Sequence, residues 1–159
     1  MNDSFDIYLR CLCEADAKIS WKWRNDEEIW RNTGSSPDRY ITEEMELDWI
    51  RKALLDKSTR RYAICLKEND QYIGNVYLTD INGDSAVEQI FIGEKELWGK
   101  GIATRARAAL YEIAKKEFGI VRIESHIRTR NIASIKSISK LGFNEISRNL
   151  EWVIFEKYL

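Results

Sequence analysis

The sequence is poor in proline, histidine and cysteine, and these shortages exclude several classes of protein. It contains one proline, one histidine and three cysteines among its 159 residues. Cys11 and Cys13 stand two residues apart and Cys65 stands alone, a spacing that fits neither a disulfide framework nor a zinc site. We therefore expect a protein of the reducing cytoplasm that binds no metal.

Long apolar runs are also missing from the sequence. No segment approaches the ~20 apolar residues of a transmembrane helix, and the polar, acidic start of the chain lacks the pattern of a signal peptide. The hydrophobic fraction of 44% lies near the globular average, and the length suits one folded unit. These features predict a single domain over residues 1–159 without membrane contact, and they are compatible with a homo-oligomer.

The net charge of −1 conceals a strong asymmetry along the chain. Residues 98–140 contain ten basic and three acidic side chains, whereas residues 1–97 contain thirteen basic and twenty acidic ones. A basic segment around a glycine-rich loop suits a ligand with several phosphates, although solvated helix faces account for part of the charge. Nucleic acid is a weaker candidate, because aromatic residues are not interleaved with the basic ones.

The most distinctive segment is Trp98-Gly99-Lys100-Gly101-Ile102-Ala103-Thr104, which lies between a strand-like run and a helix-like run. Glycines at the start of a helix let unpaired backbone N–H groups approach a phosphate, and the helix dipole favours the same anion. A plain turn into the helix is an equal interpretation. The spacing excludes a P-loop, and Thr104 replaces the third glycine of a dinucleotide-binding fingerprint.

This segment resembles the acyl-CoA signature Gln/Arg-x-x-Gly-x-Gly/Ala of the GCN5-related N-acetyltransferases (GNAT), with Gly101 and Ala103 in its last two positions. Asn131-x-x-Ser134 and Lys140-Leu141-Gly142-Phe143 are similar to the next motif of that family. Trp98 in place of Gln/Arg resembles the branch of ribosomal-protein N-terminal acetyltransferases. The resemblance implies that acetyl-CoA binds to Trp98, Gly99, Lys100, Gly101, Ile102, Ala103 and Thr104.

The spacing of apolar residues predicts the order β-α-α-β-β-β-α-β-α-β-β. This order indicates an α/β fold with a mixed sheet of about seven strands and helices on both faces. A hairpin is expected around Asn69-Asp70, and Gly119 is expected to end the long helix. The family resemblance implies the same, GNAT-like fold.

Acetyl transfer requires a group that accepts a proton from the amine, and the resemblance implies Glu88 in this role. An exposed strand residue without a catalytic role is the alternative. The resemblance also implies that Phe91, Ile92 and Gly93 offer free backbone groups to the pantetheine arm and polarise the thioester. Core packing is a second interpretation of Phe91 and Ile92, and the two are compatible.

The leaving thiolate requires a hydrogen-bond or proton donor. Many family members use a Tyr seven residues after the motif Asn, and this sequence has Ile138 there. The related branch offers Ser134, whose hydroxyl would donate a hydrogen bond to the sulfur, whereas an ordinary first-turn serine is an equal interpretation. Asn131 is expected either to contact the pantetheine or to cap the helix.

The resemblance implies that the Trp-rich segment 21–26 covers the acceptor site, and its candidate residues are Trp21, Arg24 and Asn25. For the tryptophans, packing between helices is the favoured alternative. Glu28 belongs to the acidic cluster 26–28, which together with the acidic cluster 43–48 suits a cationic acceptor such as a polyamine. An amino-sugar nucleotide, a polyamine and a protein N-terminus all stay open as acceptors.

We therefore expect an N-acetyltransferase in which a primary amine attacks acetyl-CoA directly within a ternary complex. A covalent enzyme intermediate is not expected, because no cysteine lies where the glycine loop would place the thioester. The alternative is a CoA-binding sensor or regulatory module without turnover, which the missing tyrosine supports.

Overall fold

The computed structural model describes residues 5–33 and 36–159, and its elements follow the predicted order, except that three helices rather than two lie between the first two strands. The strands are β1 (Ile7–Cys11), β2 (Arg60–Leu66), β3 (Tyr72–Asn82), β4 (Ser85–Ile92), β5 (Arg122–Arg128), β6 (Asn144–Arg148) and β7 (Trp152–Tyr158). The helices are α1 (Ala17–Arg24), α2 (Glu27–Trp30), α3 (Glu43–Leu55), α4 (Ile102–Phe118) and α5 (Ile132–Lys140). No helix within the described residues is long and apolar enough to cross a membrane.

The seven strands form one mixed sheet in the order β1-β2-β3-β4-β5-β7-β6. The pair β4–β5 is parallel, and every other neighbouring pair is antiparallel. A parallel pair requires a crossover, and α4 supplies it over one face of the sheet. The expected mixed α/β sheet is confirmed, including the β2–β3 hairpin in which Asp70 adopts φ 60°.

Alternation along the strands divides the buried side chains into two cores. On β2, Tyr62, Ile64 and Leu66 face the core that is shared with α4, whereas Ala63 and Cys65 face the core under α1, α2 and α3. This alternation is the period-2 geometry of a strand that is buried on both faces. Any residue of the sheet is therefore assigned to one core or the other by its position in the strand.

Three helices begin with a side-chain cap. Asp26, Thr42 and Asn131 each accept a hydrogen bond from a backbone amide in the first turn of α2, α3 and α5, respectively. Helix α4 instead begins at Gly101, which adopts φ 79° and provides no side chain. Its first turn is consequently left with unpaired donors.

Strands β4 and β5 pair only over their first halves. The parallel register runs from Ser85↔Arg122 to Glu88↔Ser125, and β4 then continues to Ile92 without pairing to β5. The two strands thus diverge beyond Glu88. This divergence opens the sheet at its centre, beside the start of α4.

Candidate active site

A groove of about 600 Å³ occupies the opening beside the second half of β4. Its walls are the end of β4, the glycine loop with the first turn of α4, and the first turns of α5. The groove brings together eleven of the residues predicted from sequence: Glu28, Phe91, Ile92, Trp98, Gly99, Gly101, Ile102, Ala103, Thr104, Asn131 and Ser134. Segments that are distant in the chain therefore meet at one cavity.

The first turn of α4 presents backbone donors to this groove. Gly101 lacks a side-chain cap, and the first intrahelical bond runs from the Arg105 amide to the Gly101 carbonyl over 3.3 Å. Within the described residues, the amides of Ile102, Ala103 and Thr104 have no hydrogen-bond acceptor. Unpaired amides and the positive end of a 17-residue helix form an anion site at the wall of the groove.

Cationic side chains lie on the opposite wall, where Arg130, Lys136 and Lys140 line the groove beside α5. The charge asymmetry of the sequence predicted a basic segment, but it did not single out these three residues. Lys136 and Lys140 lie on one face of α5, since they are four residues apart. Together with the amides of α4, they make the groove suitable for a ligand with more than one phosphate.

Trp98 fixes the glycine loop to the end of β4, because its indole N–H donates to the Ile92 carbonyl over 2.9 Å. Two neighbours of the predicted set lie outside the groove. Lys100 is exposed and does not line it. Gly93 is buried, its amide donates to the Ile73 carbonyl, and an added Cβ would fall inside the indole ring of Trp23. Gly93 thus serves close packing rather than forming the wall of the groove.

Helix α5 explains the geometry of the second motif. The Asn131 side chain caps the helix by accepting from the Ser134 amide over 3.3 Å, and both residues line the groove. Ser137, one turn further on, shares a 2.9 Å hydrogen bond with Thr104 and so joins α5 to the start of α4. Ile138 is fully buried in the core, whereas Ser134 lines the groove.

Glu88 is not placed where the sequence predicted a base. It faces α4, with 1% of its surface exposed, and both carboxylate oxygens accept from Arg107 Nε over 3.2 and 3.3 Å. Ala86 and Ile92, which share its strand parity, belong to the same core. The environment of Glu88 is that of a buried structural ion pair, and no contact joins it to the groove.

An inner pocket of about 100 Å³ lies on the other face of the sheet, between α1, α3 and the strands. It meets the groove at Ile29, Thr33 and Phe91, which line both cavities. Its polar lining comes from Ser20, Arg24, Glu46, Arg61, Asn75 and Tyr77, and its aromatic lining from Trp23, Trp30 and Trp49. The two cavities are therefore neighbours at the end of β4, on either side of Phe91.

The predicted acceptor residues separate into two groups. Arg24 lines the inner pocket, and Glu28 lines the groove, where it accepts from Lys95 Nζ over 3.5 Å. Asn25 instead binds the Trp21 carbonyl and both backbone groups of Ile41, so that it fixes the segment before α3. Trp21 packs edge-on against Tyr40 outside both cavities.

Glu46 is the principal residue of the inner pocket that sequence reasoning missed. It is 2% exposed, and its Oε1 accepts from Arg24 Nη1 over 3.0 Å. Burial raises the pKa of Glu46, and the nearby Arg24, Ser20 and Arg61 oppose this shift only in part. The sequence offered it only as one member of the acidic cluster 43–48, which suits both the dipole of α3 and a cationic acceptor, and did not single it out.

Comparison with known proteins agrees with this geometry. Residues 6–144 match the family model of the acetyltransferase (GNAT) domain. A probable N-acetyltransferase of Bacillus subtilis, YjcK, is 33% identical over 147 residues, which cover 87% of this chain and 81% of that protein. An uncharacterised protein of Methanocaldococcus jannaschii is 28% identical over 151 residues, which cover 92% of this chain. The chain spans only 30% of the length of that relative.

A solved structure shows the same fold at lower sequence identity. The spermidine N-acetyltransferase of Vibrio cholerae, in complex with CoA and spermine, matches with a TM-score of 0.85 at 21% identity. The match covers 96% of this chain and 95% of that one. From the family match over residues 6–144 and the identity to YjcK, the chain belongs to the GNAT acetyltransferase family.

Proposed function

We propose that the protein transfers an acetyl group from acetyl-CoA to a primary amine. The observation that carries this proposal is the junction of the two cavities at Phe91. The groove offers unpaired amides and cations to a phosphate-bearing ligand, and the inner pocket offers a carboxylate to an amine. A donor and an acceptor bound in these cavities would meet at the end of β4, as direct transfer in a ternary complex requires.

Acetyl-CoA fits the groove through features of this chain. The amides of residues 102–104 would bind the diphosphate, and Arg130, Lys136 and Lys140 would bind the remaining phosphate charge. The unpaired part of β4, residues 89–92, would lie along the pantetheine arm in the manner of an added strand. That the related fold of the Vibrio cholerae enzyme holds CoA supports this assignment.

Glu46 is the carboxylate best placed to accept the proton of the amine, directly or through water. It lies in the inner pocket, whereas Glu88 lies on the opposite face of the sheet. Its raised pKa brings the carboxylate closer to the range in which a base works at neutral pH. The bound thioester supplies the acetyl group. The amine nitrogen forms the new C–N bond, the C–S bond breaks, and the Ser134 hydroxyl donates a hydrogen bond to the departing sulfur.

The ribosomal-protein branch of the family stays part of the proposal, supported by Trp98 in the glycine loop. Among the acceptor classes, a polyamine has the support of the Vibrio cholerae enzyme, which is named for spermidine. An N-terminal amine and an amino-sugar nucleotide also present the primary amine that the chemistry requires.

A CoA-binding sensor without turnover is the second candidate. The observation that favours it is Ile138, which is fully buried where many relatives in the family have a tyrosine acid. Thiol release from acetyl-CoA over a panel of amines separates the two functions. Binding of acetyl-CoA without thiol release on any amine would establish the sensor.

The groove assignment is tested with Gly101→Asp. An added Cβ at Gly101 meets no protein atom within 4 Å, so the side chain brings backbone strain at φ 79° and a carboxylate among the phosphate oxygens, but no steric clash. We expect acetyl-CoA binding to fall below detection by calorimetry. The matched control is Gly83→Asp in the β3–β4 turn, where φ is 61° and the surroundings are equally open. Equal affinity in the two folded variants would contradict the assignment.

A further inference from the structure

The charged side chains of the inner pocket indicate which charges an acceptor should carry. Two guanidinium groups, those of Arg24 and Arg61, line the pocket together with one carboxylate, that of Glu46. Arg24 is paired with Glu46 over 3.0 Å, and Arg61 has no ion pair within the described residues. The pocket therefore carries one positive charge in excess.

Arg61 is held in place by aromatic rings rather than by an acid. Its guanidinium lies 4.7 Å from the ring centre of Trp49 and 4.4 Å from that of Tyr77. The Nε atom is buried and has no hydrogen-bond partner. The rings stabilise the charge of the guanidinium but accept no strong hydrogen bond from Nε, and a buried N–H donor without an acceptor is costly.

The carboxylate side of the pocket is also incompletely bonded. Glu46 Oε2 and Ser20 Oγ are buried, and neither has a hydrogen-bond partner within the described residues. An oxygen acceptor and a hydroxyl thus lie in the same small pocket as the free donor edge of Arg61. Unpaired groups of opposite character suit a ligand that carries both a donor and an acceptor.

We propose that the acceptor is a small amine that also carries an anionic oxygen group, a carboxylate or a phosphate, a few bonds from its nitrogen. The anionic group would accept from the edge of Arg61, and the amine would donate to Glu46 Oε2. A polyamine carries only positive charge, so it would leave Arg61 unpaired and add repulsion. This inference rests on the proposed function, because it names the acceptor of the same transfer reaction.

The test compares acceptors in matched pairs, with kcat/KM measured by thiol release from acetyl-CoA. Glycine is compared with glycinamide, O-phosphoethanolamine with ethanolamine, and spermidine is the polycation. The charged member of at least one pair should be preferred by about tenfold to a hundredfold, as expected when a charged hydrogen bond is lost. The pair with the larger ratio distinguishes a carboxylate from a phosphate.

The residue is tested with Arg61→Met, which keeps an unbranched apolar side chain between the two rings. This variant should lose most of the preference, measured as the ratio of kcat/KM for the charged acceptor to that for the neutral one, and Arg61→Lys should restore part of this ratio. The control is Arg60→Met, because Arg60 stacks on Phe118 and lies outside the pocket.

Each outcome bears on a different claim. Equal rates with charged and neutral acceptors, or a preference for spermidine, would overturn the inference and leave the transferase in place. A preference that survives Arg61→Met would overturn the role of Arg61. Absence of thiol release with every amine, while acetyl-CoA still binds, would overturn the proposed function as well. The comparison of acceptors uses the wild-type protein, so it does not depend on the folding of any variant.

Discussion

At the scale of single residues, two buried glutamates show how surroundings decide what a carboxylate can do. Glu88 has both oxygens on Arg107 within the core, whereas Glu46 has one oxygen on Arg24 and the other free in a pocket. Glu88 lines neither cavity, so a substrate bound there does not reach its carboxylate. A half-paired carboxylate can still accept a proton or a hydrogen bond.

Glu46→Gln should lower turnover on the order of a hundredfold or more, since an amide cannot accept the proton. Wild-type turnover should rise with pH as Glu46 loses its proton, with a midpoint above the usual value for a glutamate, because burial raises its pKa. This rise of turnover with pH should be absent in the variant. Its affinity for acetyl-CoA, measured by calorimetry, should be unchanged. A variant with wild-type turnover and pH profile would exclude Glu46 as the base.

Glu88→Gln should act on stability instead. Removal of one partner leaves the Arg107 charge buried and unpaired, which costs about 3–5 kcal/mol in the free energy of unfolding. Urea unfolding measures this loss, and the double variant Glu88→Leu with Arg107→Met should recover much of it. The rate of the folded fraction should stay near that of the wild type. Loss of turnover in a stable Glu88→Gln protein would instead support a catalytic role for Glu88.

The family resemblance implied Glu88 as a base from its position along β4, and a position along a strand is easier to infer from sequence than the face to which the side chain points. Gln89 and Phe91, one and three positions further on, have the parity that faces the inner pocket. A shift of one residue moves every side chain of a strand to the other face. Asn82-Gly83 signals the turn between β3 and β4, but the register shifts between Thr79 and Asn82, so the turn alone does not tell which face Glu88 takes.

At the scale of elements, helix α5 combines a structural cap and a candidate catalytic hydroxyl in one turn. Asn131 bonds the amide of Ser134, so the cap also orients the serine. A substitution of either residue therefore tests a different function of the same turn.

Ser134→Ala should slow the single-turnover rate about tenfold to a hundredfold, because one hydrogen bond to a charged sulfur is worth about 1.5–3 kcal/mol. Affinity for acetyl-CoA and the melting temperature should change little. Asn131→Ala is the comparison, since loss of the cap should cost about 1 kcal/mol of stability. An unchanged single-turnover rate in Ser134→Ala would mean that solvent protonates the thiolate.

The elements of the groove were predictable because each depends on a short continuous motif. Glycines before α4 and Asn131 before α5 are local signals, and both elements begin where the sequence predicted. The inner pocket was not predictable in this way. Its ion pair joins Arg24 to Glu46 across 22 positions, and Arg61 comes from a third element. Contacts of this kind form only when helices pack on the sheet, and periodicity does not specify them.

At the scale of the whole molecule, an ion pair connects the edge strand β1 to Asp16, the residue that precedes α1. Arg10 on β1 donates to both oxygens of Asp16 over 2.9 and 2.7 Å, and the Cys13 amide donates to the same carboxylate. Burial raises the pKa of Asp16, but these hydrogen bonds and the Arg10 charge outweigh it, so the pKa is lowered. The pair thereby makes folding sensitive to acid.

The sign of this effect follows from the lowered pKa. Asp16 contributes its full stabilisation above the pKa of the unfolded chain, and the contribution is lost as the pH falls through the folded pKa. We expect Asp16→Asn to lower the melting temperature at neutral pH and to flatten its fall below about pH 4. Asp38→Asn is the control, because Asp38 is exposed and its pair with Arg39 is solvated. Equal melting curves for the two variants would contradict this role.

Gly93 and Gly101 show how this protein would diverge in a lineage that no longer needed its activity. Gly93 is retained by Trp23, because any side chain would occupy the indole, so loss of this glycine is loss of the fold. Gly101 has open space around it, and its bare backbone serves the groove. In a descendant without activity, Gly101 could be replaced by asparagine, which tolerates the left-handed backbone conformation. Gly93 would still be required in that descendant. Gly93 is thus constrained by packing, whereas Gly101 is constrained by ligand binding.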